Sequence, residues 1–397
     1  MSLVINTNVS SLNAQNNLAR SQGALATATQ RLSSGLKLNS AADNAAGFAI
    51  AQRYTTQIGG LAQASANASD AINLAQTAGS ALDQVTANLQ AIRDLAVQSA
   101  NGTYTSGDRS SIDQEVQQRL QEITRIANQT AFNGSKVLDG SMKTKSFQVG
   151  ADVGQTISVN LGTSVKSADM GKIAQMETAN LSGAFVDASG NAQTMDLSKL
   201  SITGTDGTSK TLAGTAGSAQ DLADAINAAG VTGVSAAVDG KGGISLFANG
   251  SFSVNDSGSI GSGSTMGSGV ITDNASSNGA TATNIGSGTI AETGSLDGSN
   301  VNTVNDANAL ISRIDVALKS VADFAAQLGA VQNRFQSTIA TVAAQSTNLK
   351  ASQSTIQDAD FAAETAALSK AQVLQQAGIS VLAQANANPQ MALKLLQ

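Results

Sequence analysis

Residues 314–356 read IDVALKSVADFAAQLGAVQNRFQSTIATVAAQSTNLKASQSTI. Every seventh residue of this stretch is apolar: Ile314, Val321, Leu328, Phe335, Val342, Leu349 and Ile356. The half-heptad row is apolar at Ile311, Leu318, Ala325 and Ile339, and polar at Gln332, Ser346 and Gln353. An apolar stripe with a 3.5-residue period and no proline predicts a coiled-coil helix, roughly 65 Å long at about 1.5 Å per residue. Because one helix cannot bury its own stripe, the rest of the chain or another copy must cover it.

The N-terminal hundred residues show the same kind of pattern. In residues 1–43 the apolar positions recur in steps of seven, six, seven and seven, at Ile5, Leu12, Leu18, Leu25 and Leu32. In residues 44–100 they recur every seven, at Leu61, Ala68, Ala75, Leu82, Leu89 and Ala96, with Ile58 and Ile72 in part of a second row. Gly35 and Asn39-Ser40 predict a break between the two helices, and Asn101-Gly102 predicts the end of the second.

Two further helices follow from capping signals. Asp108 is a candidate cap for a third helix, with one apolar face made of Ile112, Val116, Leu120, Ile123 and Ala127. Asp358 and Asp360 predict a cap before a final helix, whose stripe is Phe361, Leu368, Ala371, Leu374 and Leu382. We expect this helix to stop at Pro389, the only proline of the chain.

The middle of the chain indicates β-structure. Residues 145–149 and 156–161 alternate apolar and polar, which predicts a β-hairpin beside the helices. Residues 171–300 contain no arginine and only three aromatic residues, and they include one predicted helix, Ala219–Ala229. Residues 244–247 and 251–254, joined through Asn249-Gly250, predict a second hairpin.

The predicted fold class is therefore mainly α with a β-rich insertion. Both termini contribute to a long antiparallel helical coiled-coil bundle, with a β-hairpin beside it and a small α+β outer domain. We expect three domains. Residues 1–43 with 358–397 form a terminal coiled coil, residues 44–170 with 301–357 form a long-helix domain, and residues 171–300 form the outer insertion.

Composition excludes several functions. The net charge of −6 disfavours nucleic acid and anionic membranes as partners. The chain has no Cys and no His, which removes disulfides, Ser–His catalysis and nearly every zinc site. We expect no catalytic residues, no cofactor and no metal. Residues 1–17 lack the basic residues and the apolar core of a cleaved signal peptide. The sequence has no apolar run of 18 residues, so we expect no membrane insertion.

Short motifs at both ends of the chain resemble those of bacterial flagellins, the subunits of the flagellar filament. The N-terminal ones are Ile5-Asn-Thr-Asn8, Gln30-Arg-Leu-Ser-Ser-Gly35, Asp43-Asn-Ala-Ala-Gly47, Leu95-Ala-Val-Gln-Ser-Ala-Asn101 and Phe132-Asn-Gly134. The C-terminal ones are Leu328-Gly-Ala-Val-Gln-Asn-Arg-Phe335, Asp358-Ala-Asp-Phe361, Leu374-Gln-Gln-Ala-Gly378, Val381-Leu-Ala-Gln-Ala-Asn386 and Pro389-Gln390. Residues 225–231 with 243–246 resemble a small insertion motif of flagellins and hook-associated proteins.

The resemblance implies a self-polymerising structural protein that builds the filament for motility. Its termini would pair as the inner tube, the long helices would form an outer tube, and the insertion would face outward. It also implies export through the flagellar type III apparatus, an extracellular location without a cleaved signal peptide, and three kinds of flagellar partner. These are an export chaperone, the hook-associated junction proteins and the cap protein.

We assign the polymerisation interface to the apolar stripes of the two terminal segments. Its residues are Ile5, Leu12, Leu18, Leu25, Leu32, Leu368, Leu374, Leu382, Leu393, Leu395 and Leu396. The same stripes can instead hold one subunit together, and different faces of the helices can serve both purposes.

The resemblance also implies that host pattern-recognition receptors read two segments. Residues 30–51 match the segment read by plant receptors, except that Ala42 replaces the usual Lys and Asn44 the usual second Asp. The surface read by the animal receptor corresponds to Gln90, Ala91, Leu95, Gln98 and Glu115. Ala91 stands where an Arg is common, and loss of a guanidinium at such a position predicts weak signalling.

Four other classes compete with this interpretation. The hook–filament junction protein shares the terminal helices. A surface adhesin would use residues 171–300, which lack the Tyr and Trp that stack on sugars. A cytoskeletal coiled-coil protein would explain only the heptads. An enzyme is the weakest alternative, because Asp358 and Asp360 lie where carboxylates cap a helix.

Overall fold

A computed structural model of the chain describes residues 8–178, 180–182, 185–186, 191–256, 271–273 and 288–395. For residues 256, 271–273, 288–289 and 388–395 it describes the backbone alone. Of the assigned interface residues, Ile5 and Leu396 lie outside the described residues. Leu393 and Leu395 are described only as backbone.

The described residues form six α-helices and two compact units. The helices are α1 Val9–Ser34, α2 Ala45–Ala100, α3 Ser106–Gln129, α4 Ala219–Ala229, α5 Val304–Gln357 and α6 Phe361–Leu395. The first unit comprises residues 1–68, 148–156 and 336–397, and the second comprises 69–147 and 157–335. Helices α2 and α5 therefore contribute to both units. The three-domain division expected from the sequence stays a prediction.

The helix boundaries follow the capping signals closely. Helix α1 ends at Gly35, which adopts a left-handed φ of 71° and bonds back to the Arg31 carbonyl. Asp360 caps α6, because its carboxylate accepts from the backbone N–H groups of Ala362 and Ala363. The prediction for α3 was wrong by three residues. Its N-cap is Thr105, and Asp108 is the third helical residue of a reciprocal capping box.

The predicted stop at Pro389 is wrong, since α6 continues through it to Leu395. A proline inside a helix removes one hydrogen bond, the one that its N–H would give to the carbonyl four residues earlier. Here that carbonyl belongs to Ala385, and it accepts a hydrogen bond from Asn8 Nδ2 at 2.8 Å. The partner lies more than 370 residues away in the chain, so local sequence gave no sign of it.

The main heptad row of each long helix is largely buried, as predicted. The half-heptad row predicted for α5 is wrong, because the fully buried row beside the main one is Leu310, Ala317 and Phe324, whereas Ile311, Leu318, Ala325 and Ile339 are half-buried. In α5, Ile314, Val321, Leu328, Phe335 and Val342 are buried, and the last two heptad positions are half-buried. In α2 all six predicted positions are buried. The second buried row of α2 differs from the predicted Ile58 and Ile72. It is Ala64, Ala71, Ala78, Val85, Ile92 and Ser99, and the Ala and Ser positions of this row let helices approach closely.

The second unit carries the β-structure. Its strands and those of the neighbouring hairpin are β1 Ala131–Phe132, β2 Ser135–Lys136, β3 Thr144–Gln148, β4 Thr156–Asn160, β5 Ala174–Thr178, β6 Met195–Asp196, β7 Leu200–Thr203, β8 Ser209–Thr211, β9 Thr215–Ala216, β10 Val234–Val238, β11 Ile244–Ala248, β12 Phe252–Asp256, β13 Ile271–Asp273 and β14 Gly288–Ile290. Strands β3 and β4 pair, as the alternation predicted. Two four-stranded antiparallel sheets, ordered β10-β11-β5-β13 and β14-β12-β7-β8, share one apolar core with α4.

The predicted hairpin of residues 244–247 with 251–254 is wrong. Strand β11 pairs with β10 and β5, whereas β12 pairs with β14 and β7 in the other sheet. All five residues of β11 are buried, so its two faces are covered and the strand has no solvent side. Asn249-Gly250 therefore carries the chain from one sheet to the other instead of closing a two-stranded turn.

Candidate functional site

The terminal helices α1 and α6 pack along a single seam in the first unit. The seam positions are buried or half-buried and follow one another at alternating steps of three and four residues. On α1 they are Ser11, Ala14, Leu18, Ser21, Leu25, Ala28 and Leu32; on α6 they are Glu364, Leu368, Ala371, Gln375, Gly378, Leu382 and Ala385. This spacing is the a/d pattern of a coiled coil on both helices.

Three contacts fix the seam as antiparallel. Ser11 Oγ donates to Asn386 Oδ1 at 2.8 Å near one end. A Cβ at Gly378 would lie 3.4 Å from Leu18 Cδ1 in the middle. Arg31 and Glu364 form an ion pair at 3.9 Å near the other end. The three contacts agree on one antiparallel alignment to within two residues, and it brings the first turn of α1 beside the last described turns of α6.

This register sets large side chains against small ones. Leu18 lies against Gly378, and the same offset places Leu25 level with Ala371 and Ala14 level with Leu382. Alternating large and small residues lets two helices approach closely without a cavity. The sequence pattern did not single out Gly378 or Ser11, because a glycine and a serine carry no hydrophobic signal.

The loops that join the pair to α2 and α5 are bonded to each other. Lys37 N donates to the Gln357 carbonyl at 2.7 Å, and Ala359 N donates to the Gly35 carbonyl at 3.0 Å. The Asp43 carboxylate accepts from the N–H groups of Ser40 and Asn39, which holds the pKa of Asp43 below its usual value. Both ends of the helix pair are thus tied down by hydrogen bonds.

The structure divides the assigned interface residues into two groups. Leu18, Leu25, Leu32, Leu368 and Leu382 are half-buried in the seam between α1 and α6. Leu12 and Leu374 lie outside the seam and are 52% and 48% exposed. The irregular step of six from Leu12 to Leu18 has a simple cause: the seam position seven residues before Leu18 is Ser11.

Large apolar side chains are exposed mainly on these two helices. Seven of the ten large hydrophobic residues exposed in the described part of the chain belong to α1 or α6. They are Val9, Leu12, Phe361, Val373, Leu374, Ile379 and Val381. Concentrations of exposed apolar surface mark interaction sites in soluble proteins. The outer faces of the α1–α6 pair are therefore the candidate assembly interface.

The residues assigned to receptor recognition lie on α2 and α3. Gln90, Gln98 and Glu115 are exposed, whereas Ala91 and Leu95 are half-buried. Glu115 accepts two hydrogen bonds from the Arg119 guanidinium, the shorter at 2.7 Å. None of the described helices is long and apolar enough to cross a membrane.

Family models match both ends and part of the middle. The bacterial flagellin N-terminal helical region matches residues 5–143, and the bacterial flagellin C-terminal helical region matches residues 311–396. The flagellin hook IN motif matches residues 199–250, which contain the insertion motif inferred from the sequence.

Curated relatives match over the whole length. Flagellin B of Vibrio cholerae is 40% identical over 400 residues, and flagellin D of Vibrio anguillarum is 39% identical over 398 residues. The B-type flagellin of Pseudomonas aeruginosa is 34% identical over 488 residues. In each case the match covers 100% of both chains. The solved structure of FliC from Burkholderia pseudomallei is 26% identical and covers 66% of this chain and 99% of that one, with a TM-score of 0.38.

The paired terminal helices, the inserted β-rich part and the full-length relatives agree. The chain belongs to the bacterial flagellin family, the self-assembling, non-enzymatic structural subunits of the flagellar filament.

Proposed function

We propose that subunits of this chain assemble through the outer faces of the α1–α6 pair. The observation that carries the proposal is the concentration of exposed apolar residues on these two helices. The seam leucines are only half-buried within one subunit, so a neighbouring copy can bury them further. Contacts that join different faces of successive copies generate a helical fibre when the rotation from one copy to the next does not close into a ring.

The hydrophobic effect supplies the driving force of this assembly. Burial contributes about 25 cal/mol per Å² of apolar surface, so covering a half-exposed leucine or valine contributes on the order of 1 kcal/mol. Val373, Leu374 and Val381 together thus supply a few kcal/mol per subunit before the cost of ordering the helices is subtracted. The seam residues pair the two helices within a subunit and keep some surface for a neighbouring copy, whereas the residues of the outer faces act between subunits.

A pair of variants at Leu374 tests the proposal. Purified protein is induced to polymerise with ammonium sulfate, which strengthens apolar burial, and filaments are counted by electron microscopy. We expect Leu374→Asp to abolish filaments while leaving the circular dichroism of the subunit unchanged, because a carboxylate cannot be buried without a partner. Leu374→Met, which keeps size and polarity, should polymerise normally. Filaments from Leu374→Asp at the normal protein concentration would refute this assignment.

We further propose that the filament is extracellular and that an export chaperone binds the chain before export. Junction proteins and a cap protein would then lie at the two ends of the filament. The proposal is supported by membership of the flagellin family and by the absence of Cys. A chain without Cys cannot form wrong disulfides while it passes unfolded from a reducing to an oxidising compartment. Fractionation of a flagellated culture tests the location, with the chain expected in sheared filaments and not in the cell pellet.

Recognition by an animal receptor is a second candidate function, and we propose that it is weak. Gln90, Gln98 and Glu115 are exposed. However, Ala91 offers no guanidinium, and the Glu115 carboxylate is already paired with Arg119. Ala91→Arg should raise reporter-cell signalling by monomer at least tenfold, as a charged hot-spot contact implies. Ala91→Lys is the matched control for charge alone. Strong signalling by the unmodified chain would contradict the proposal.

We also propose that recognition by plant receptors, through residues 30–51, is weak. Asn44 Oδ1 accepts from Gly47 N at 3.0 Å and caps α2, a role that Asp fulfils equally well. Its neutral amide therefore keeps the cap while it removes a charge that a receptor could read.

A further inference from the structure

Asn8, the N-cap of α1, makes two different hydrogen bonds with its two amide atoms. Its Oδ1 accepts from Ser11 N at 3.1 Å and so caps its own helix. Its Nδ2 donates to the carbonyl of Ala385 in α6 at 2.8 Å. Asparagine suits this position because it presents an acceptor and a donor on one short side chain.

Pro389 leaves the Ala385 carbonyl without its usual helical donor. In an α-helix the carbonyl of residue 385 would accept the N–H of residue 389. Proline has no N–H, yet α6 is helical on both sides of it. Ala385 is only 8% exposed, so water has little access to replace the missing donor. A buried carbonyl without a partner is destabilising, and Asn8 supplies the partner.

We propose that Asn8 and Pro389 act together as a register clamp at the end of the α1–α6 pair. Pro389 leaves one acceptor free on the seam side of α6, and Asn8 is the donor placed to use it. A coiled coil slides in register when its seam is made of small and apolar residues that fit at several offsets. A polar contact at one level favours one alignment, as buried polar residues do in other coiled coils, and the clamp adds to the Ser11–Asn386 hydrogen bond and the Arg31–Glu364 ion pair.

A second hydrogen bond beside the clamp does not involve the proline. Ser11 Oγ donates to Asn386 Oδ1, a side-chain acceptor that exists whether or not residue 389 has an N–H. The Ser11–Asn386 hydrogen bond therefore serves as the internal control. It stabilises the same end of the helix pair, but the stabilisation that it provides should be independent of Pro389.

The inference rests on the proposed assembly through the helix pair, and a set of full-length variants tests it. Asn8→Asp keeps the capping oxygen and removes the donor, and Asp is as good an N-cap as Asn. Pro389→Ala restores the N–H to Ala385. The readout is the critical concentration for polymerisation at pH 7, measured by light scattering.

We expect Asn8→Asp to raise the critical concentration about tenfold in the unmodified background, as loss of a partner to a buried carbonyl implies. In the Pro389→Ala background the same change should raise it by less than about threefold, because the helix now satisfies that carbonyl itself. Ser11→Ala should have the same effect in both backgrounds. Equal effects of Asn8→Asp in both backgrounds, or no effect in either, would overturn the clamp.

A second measurement separates the clamp from assembly. If the unmodified chain forms no filaments, the proposed function fails. The clamp is then tested by measuring the rate of disulfide formation between α1 and α6 in single subunits. A Cβ at Gly378 would lie 3.8 Å from Leu18 Cβ, the usual separation in a disulfide, and the chain has no other thiol. Oxidation of the Leu18→Cys, Gly378→Cys protein should be several-fold slower with Asn8→Asp, and the rate should recover with Pro389→Ala. An unchanged rate would overturn the clamp.

Discussion

At the scale of single residues, Arg313 holds together the two chain segments that enter and leave the inserted β-rich part. Its guanidinium donates to the carbonyls of Gly171, Thr293 and Ser295 and to Gln175 Oε1, at 3.3–3.4 Å. Burial lowers the pKa of Arg313 from its usual value. Gly294 has a φ of 73°, and a Cβ there would run into the guanidinium. The burial of the guanidinium and its close packing against Gly294 indicate that this site accommodates an arginine specifically.

We predict that Arg313→Lys destabilises the second unit by about 1–3 kcal/mol. A lysine ammonium cannot reach acceptors on two separate segments in the planar arrangement of a guanidinium, so the buried Gly171 carbonyl and the half-buried Thr293 and Ser295 carbonyls lose donors. The check is the urea midpoint of the full chain. Lys172→Ala, at an exposed position beside Gly171, is the control and should leave the midpoint unchanged. An Arg313→Lys midpoint equal to that of the unmodified chain would contradict the prediction.

At the scale of one element, the start of α3 depends on a reciprocal capping box. Thr105 N and Oγ1 donate to the Asp108 carboxylate at 3.0 and 2.8 Å, and Asp108 N donates back to Thr105 Oγ1. The backbone N–H of Thr105, followed by its hydroxyl, holds the pKa of Asp108 below its usual value. The box therefore needs an ionised Asp108.

A carboxyl group with a lower pKa in the folded state stabilises the protein above its unfolded pKa, near 3.9 for Asp. That stabilisation is lost as the pH falls through the folded value. We expect the thermal midpoint of the unmodified chain to exceed that of Asp108→Asn at pH 7, and the gap to shrink towards pH 2. In a protein that carries Thr105→Ala, the change Asp108→Asn should lower the thermal midpoint by less than it does in the unmodified chain, because the capping hydroxyl is already missing. A gap that is constant with pH would rule out this contribution.

At the scale of the whole molecule, the first unit contains the terminal helices and the second contains the complete β-rich insertion. The insertion has its own core of residues from both sheets and α4. We therefore predict that a chain without residues 1–43 and 358–397 keeps the secondary structure of the second unit but does not polymerise. Ammonium sulfate treatment followed by electron microscopy compares it with the full chain.

Filaments from the full chain alone would establish that the terminal segments drive assembly. Filaments from the shortened chain would refute the role assigned to α1 and α6. A folded full chain that never polymerises would refute assembly of this chain through α1 and α6 alone.

The sequence alone determined which segments are helical and placed the main buried rows of α2, α3 and α5, whereas Leu12, Phe361 and Leu374 of the predicted stripes are exposed. Heptads in α2 and α5, the apolar face of α3 and helix α4 are set by local periodicity, and each is found where the pattern predicts. The capping signals placed most boundaries within a few residues. For the candidate site, the sequence identified the two helices and most of the seam leucines, because these carry a strong apolar signal.

Tertiary structure alone decided three things. Ser11 and Gly378 complete the seam because of what faces them on the other helix. Strands β11 and β12 belong to different sheets because both faces of β11 are covered. Helix α6 continues through Pro389, and the carbonyl that the proline leaves without its helical donor, that of Ala385, accepts a hydrogen bond from Asn8 at the opposite end of the chain. The physical reason is common to all three: the deciding partner is remote in sequence, and periodicity and propensity report only on neighbours along the chain.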